Sequence, residues 1–175
     1  MGAALARALI NKPKYYVGMQ GLAMRERGVE IESFLKERTQ LTINDFFPAD
    51  ILHTASIKGQ LNLFFAALKT RKEIILVAPD YLRKIKNKID YKHFVSVPVS
   101  NCWTESERIV SEIKVLITEF DNPIVLFVAS MPANIMVDTL HKDVGQKASL
   151  LDIGSVLDPY AGKHTRTYHN KIIIQ

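Results

Sequence analysis

Two stretches of the chain are almost unbroken aliphatic sequence, "EIILVAP" (73–79) and "PIVLFVAS" (123–130). Runs of this kind are expected of strands covered on both faces of a sheet. Three more short runs read as strands: "YYVGMQ" (15–20), "HFVSVPV" (93–99) and "SLLDIGS" (149–155). The intervening segments change to helical period. In "SIKGQLNLFFAALK" one face carries Ile57, Leu61, Phe64, Phe65 and Leu68, and in "TESERIVSEIKVLITEF" it carries Ile109, Ile113, Leu116, Ile117 and Phe120. Thr104 with Glu107 predicts a capping box at the start of the second of these helices. Pro132 predicts a helix start in "SMPANIMVDTLHK", with Ser130 or Met131 as its cap. Strands alternating with helices predict an α/β fold: a Rossmann-like open, mostly parallel sheet of about five strands flanked by helices. No linker or repeat interrupts residues 1–175, so a single domain is expected.

In open α/β sheets ligands bind beyond the carboxyl ends of the strands. The residues there are Gln20-Gly21, Pro79-Asp80, Ser100-Asn101-Cys102-Trp103, Ser130 to Asn134, and Gly154-Ser155 with Asp158-Pro159-Tyr160. They are small, polar or aromatic, and the predicted topology gathers them on one edge. The "ASMPAN" turn suits an anion, because a helix start offers free N–H groups and Ser130 and Asn134 add side-chain donors. An ordinary helix cap is the equal alternative. "HTASIKGQ" sets His53, Ser56 and Lys58 at what reads as another helix start.

Charge adds one constraint. The net charge of +5 favours small phosphorylated ligands over cationic ones. Arg83, Lys84, Lys86, Lys88 and Lys92 cluster, but Ile85, Ile89 and Asp90 interrupt them, which argues for a solvated face rather than a nucleic-acid groove. The apolar runs are shorter than a membrane span and no basic-then-apolar leader opens the chain, so no membrane partner is expected and the cytoplasm is the expected compartment. The single cysteine, Cys102, excludes an internal disulfide framework and multi-cysteine zinc sites.

Standard fingerprints are absent. There is no G-x-G-x-x-G, no P-loop, no G-x-S-x-G elbow, no H-E-x-x-H and no Asp-x-Asp or Asp-x-Glu. Asp152 and Asp158 have the chemistry for a hard cation, although turn caps are the commoner use of such residues.

The segments "ADILHTASIKGQL", "NCW", "VLFVASMPANIMVDTL" and "DIGSVLDPYAGKHTRTYH", in that order, resemble the GT-D-fold glycosyltransferase-like proteins of bacteriophage and bacterial genomes. The resemblance implies a Rossmann-like domain that binds a nucleotide sugar, usually with a divalent metal (Mn or Mg). It also implies a pocket edge of His53, Ser56, Lys58, Asn101, Trp103, Ser130, Pro132, Asn134, Asp152, Ser155, Asp158, Arg166 and Tyr168, where Tyr160, Trp103 or Tyr168 can stack on a base. The family's Asp-x-Glu, thought to hold that metal, is missing. The chain then reads as a shortened relative or as a fragment of a longer protein, and the resulting expectation is a non-catalytic domain that binds a nucleotide, nucleotide sugar or related phosphorylated molecule, with phage capture of a host nucleotide signal as one use. Two alternatives stand beside it: a nucleotide-sugar-dependent glycosyltransferase with the missing acidic group supplied by Asp152, Asp158 or a second chain, and a structural or interaction protein. Homo-oligomerisation is left open.

Overall fold

A computed structural model describes residues 2–8, 14–38, 41–172 and 174. The core is a four-stranded, all-parallel sheet of β3 (Ile74–Ala78), β4 (His93–Ser96), β5 (Ile124–Phe127) and β6 (Ser149–Asp152), in the order β4-β3-β5-β6. Its register sets Val77 beside Val95 and Phe127, and Phe127 beside Asp152. The α/β, Rossmann-like architecture expected from the alternating pattern is therefore present. The strand count is smaller, because the first predicted strand supplies only β1 (Gly18–Met19). That segment pairs in parallel with β2 (Phe47–Pro48) as a separate two-stranded sheet.

Strand alternation divides the core between the two faces of the sheet. Ile74, Leu76, Ala78, Ile124, Leu126 and Val128 face one layer, where they meet Leu61, Phe65 and Leu68 of α4 (Leu61–Lys69) and Leu82 and Ile85 of the 3₁₀ segment Asp80–Asn87. Ile75, Val77, Val125 and Phe127 face the other layer. There they meet Ile109, Ile113 and Ile117 of α5 (Ser106–Glu119) and Met136 and Leu140 of α6 (Pro132–Val144). Complete burial on both faces, at about 1.5–3 kcal/mol per large side chain, accounts for the unbroken apolar runs. Two further helices, α1 (Gly2–Ala8) and α2 (Gly21–Arg38), belong to the N-terminal part. No helix among the described residues is long and apolar enough to cross a membrane.

Two local expectations are corrected. The apolar period of "SIKGQLNLFFAALK" runs through a break: α3 (Ile51–Ile57) ends at Lys58, Gly59 turns with φ +67°, and α4 starts afresh at Leu61. Glycine accepts that left-handed turn without a Cβ penalty, and Ile57 and Leu61 keep helical spacing across it. Thr104 does not cap α5 either. Its hydroxyl donates to the Asn101 carbonyl at 3.0 Å, within a 3₁₀ turn (Cys102–Glu105) that leads into the helix. Asn101 enters that turn at φ +54°. Pro132 does occupy the first turn of α6, but Met131, the residue before it, makes no side-chain cap.

Candidate functional site

The chain moves from β3 outward to β4, then returns past β3 to β5, so the direction of winding switches between β3 and β5. In doubly wound sheets the crevice beyond that point is the ligand site. Its walls here are the turn after β3, with Tyr81, and the turn after β5, with Ser130 at φ +57° and the N-terminus of α6.

The segment after β6 closes over this edge and is tied down by polar contacts. Asp158 is 2% exposed. Its Oδ1 accepts from the Tyr81 hydroxyl at 2.8 Å and its Oδ2 from the Thr165 hydroxyl. Burial, then the bond to Asp158, pushes the Tyr81 hydroxyl pKa well up, so Tyr81 remains a donor. Tyr168 lies against His53 of α3, ring centroids 4.4 Å apart, and its hydroxyl bonds Ser155 Oγ at 3.0 Å. Gly154, at φ +57°, passes under His53, and a Cβ there would stand 3.7 Å from His53 Nε2. Desolvation lowers the His53 pKa, with Asp50 opposing and Arg166 reinforcing the shift. Desolvation raises that of Tyr168.

His169 was not singled out from the sequence, yet it organises this segment. It is 1% exposed, and its Nδ1 accepts from the backbone N–H groups of Thr165 (3.0 Å) and Arg166 (3.3 Å). Two donors aimed at Nδ1 put the imidazole proton on Nε2, which is buried and meets no partner among the described residues. Desolvation lowers its pKa; Asp158 opposes that, and His164, His53 and Arg166 add to it. Arg166 is exposed, and the one bond its guanidinium makes among the described residues is long, 3.4 Å to the neighbouring Thr165 carbonyl.

A groove of about 940 Å³ lies beside this edge, between β6, α6 and the N-terminal segment. Leu5, Val17, Val137 and Leu150 give it apolar walls, and Tyr15 packs edge-on against His141 at 5.1 Å. Asn134 and Asp152 also line it. Asp152 is an exposed residue at the end of β6. Desolvation pushes its pKa up to about 6 against the opposing Gly154 N–H, which donates to Oδ1 at 3.0 Å.

The predicted site residues thus fall into groups. His53, Ser155, Asp158 and Tyr168 come together, with Arg166 within electrostatic reach of His53 and Tyr168. Asn134 and Asp152 share the groove. Ser130 is exposed and Pro132 buried at the entry to α6. Asn101 and Trp103 follow β4, the opposite edge strand from β6. Ser56 is fully buried inside α3. Lys58 is at the carboxyl end of α3, not at the helix start its motif predicts, so the helix dipole gives a phosphate there no help. Tyr160 packs edge-on against Phe65 at 5.2 Å.

Asp158 is a poor cation ligand, since hydroxyl donors occupy both of its oxygens. Among the described residues no three His, Cys, Asp or Glu side chains gather as a metal set. The described residues therefore do not form a ligand set for the divalent metal that the resemblance implies. No family model, curated protein or solved structure matches the chain.

Proposed function

We propose that the chain binds a nucleotide, a nucleotide sugar or a related phosphorylated small molecule at the carboxyl edge of its sheet, and holds it without turning it over. The observation that carries this reading is the division of labour at that edge. The Asp158 carboxylate is engaged by Tyr81 and Thr165, while Arg166, exposed and in no carboxylate salt bridge among the described residues, stands near the neutral donors of His53, Ser155 and Tyr168. A guanidinium can take phosphate oxygens in a bidentate fork. The GT-D resemblance supports the ligand class, and the engagement of both Asp158 oxygens by hydroxyl donors supports retention rather than transfer.

The test is calorimetric titration of UDP-sugars, nucleoside diphosphates and cyclic nucleotides, with and without EDTA, followed by chromatography of the recovered ligand. Binding that survives EDTA, with the ligand returned intact, supports the proposal. Metal-dependent binding with steady release of a nucleoside diphosphate would replace it with the transferase reading. Failure of the whole panel would favour the structural one.

A further inference from the structure

We infer that residues 162–171 form an acid-released strap, closed over the carboxyl edge while the His169 imidazole is neutral and lifting as a unit when that ring takes a proton. The movement stands on the strap's own geometry. That it also frees a ligand rests on the phosphorylated-ligand reading above, since the strap carries Arg166 and Tyr168.

The segment is held at few points. Residues 162–167 are all exposed, and only Tyr168 and His169 turn inward before Asn170 and Lys171 are exposed again. Among the described residues three side chains fasten it to the rest of the protein. Thr165 donates to Asp158 Oδ2, Tyr168 bonds Ser155 Oγ at 3.0 Å and lies against His53, and His169 is buried. The chain enters the strap through Gly162 at φ +74°, where a Cβ would meet nothing within 4 Å. A glycine with open space around it can serve as the hinge.

His169 is the fastening that a proton undoes. Its Nδ1 faces two backbone donors, Thr165 at 3.0 Å and Arg166 at 3.3 Å, and its Nε2 is buried without a partner among the described residues. A proton on Nδ1 turns that acceptor into a third donor and sets a charge on a residue 1% exposed. The charged and titratable groups around the ring are Asp158 after β6, His53 of α3, and His164 and Arg166 of the strap, with Tyr168 edge-on at 4.4 Å. Of these Asp158 favours the proton, but its two oxygens already accept from Tyr81 and Thr165. Burial, with the two histidines and Arg166, holds the closed-state pKa below the ordinary histidine value. The closed strap is therefore fully stable above about pH 6.5 and weakens as pH falls toward its closed-state pKa.

The experiment follows amide exchange of the ligand-free protein by NMR at pH 7.5 and 5.5, corrected for intrinsic rate. The bonded amides of Lys163, Thr165, Arg166 and His169 should lose protection together, by about fivefold or more. The amides of β3 and β5 should keep theirs. H169Q, whose side-chain oxygen can accept an N–H but takes no proton, should remove the pH step, whereas H53Q and H164Q should retain it. Unchanged protection of the strap in the wild type would overturn the inference, as would loss confined to Thr165 and Arg166 or equal loss in the sheet, and none of these needs a variant. A step that persists in H169Q, or vanishes in H53Q or H164Q, with the sheet still protected, would overturn His169 as the fastening. No ligand is present, so these outcomes leave the ligand reading to its own titration.

Discussion

The Tyr81 hydroxyl donates to Asp158 Oδ1 across 2.8 Å and so joins the turn after β3 to the turn after β6, 77 residues later. With the Thr165 hydroxyl on Oδ2, this contact fixes the floor of the carboxyl edge. A hydrogen bond to a buried charged acceptor contributes roughly 1.5–3 kcal/mol. Y81F should therefore lower the unfolding free energy by about that amount in urea titrations. D158A should cost more, since it leaves two hydroxyls without their acceptor.

Arg166 contributes differently. Its side chain is exposed and weakly engaged, so R166A should leave the melting temperature nearly unchanged. The same change should weaken an anionic ligand by about 1.5–3 kcal/mol if the guanidinium makes a charge-assisted contact. Calorimetry of the variant beside a thermal melt separates the two effects.

His169 makes the C-terminal turn sensitive to acid. Its folded pKa lies below the usual histidine value, so the unfolded chain binds the proton more readily and stability declines as pH falls below about 6.5. Protonation at Nδ1 also removes the acceptor for the Thr165 and Arg166 N–H groups. Amide exchange at these two positions, corrected for intrinsic rate, should lose protection on going from pH 7 to pH 5. The N–H of Ile113, on the buried side of α5, should stay protected.

Asp152 has the opposite sign. Its folded pKa of about 6 lies above the unfolded carboxyl range, so the native state holds the extra proton between about pH 4 and 6. The ionised carboxylate thus costs stability above pH 6, and that cost disappears as the pH drops toward 4. D152N should stabilise the free protein at pH 7.5 by about 1 kcal/mol, well below the full linkage value because solvent reaches the carboxyl, and by nothing at pH 4.

Much of the fold was legible because burial on both sides of a sheet leaves an unmistakable run. Residues 73–79 and 123–130 could hardly be anything else, and the alternation around them implied parallel strands. The minor sheet was hidden because Phe47–Pro48 is too short to show a period. Helix α2 was hidden because its polar sequence carries almost no amphipathic face, and the helix break at Gly59 because the apolar spacing continues through it. At the candidate site, His53, Ser155, Asp158 and Tyr168 were named from loop position and resemblance. Tyr81 was missed because it begins a lysine-rich stretch, although an aromatic residue directly after a strand's carboxyl end was the available signal. His169 was missed because nothing in "RTYHN" distinguishes a buried histidine from an exposed one.

Calorimetric titration with UDP-sugars, nucleoside diphosphates and cyclic nucleotides, repeated in EDTA with chromatography of the recovered ligand, asks whether the protein holds a nucleotide without metal and without turning it over. Saturable binding of at least one nucleotide is expected, with an affinity unchanged by EDTA and a ligand recovered chemically intact. Binding that vanishes in EDTA and returns with Mn²⁺, accompanied by continuous release of a nucleoside diphosphate, would contradict it.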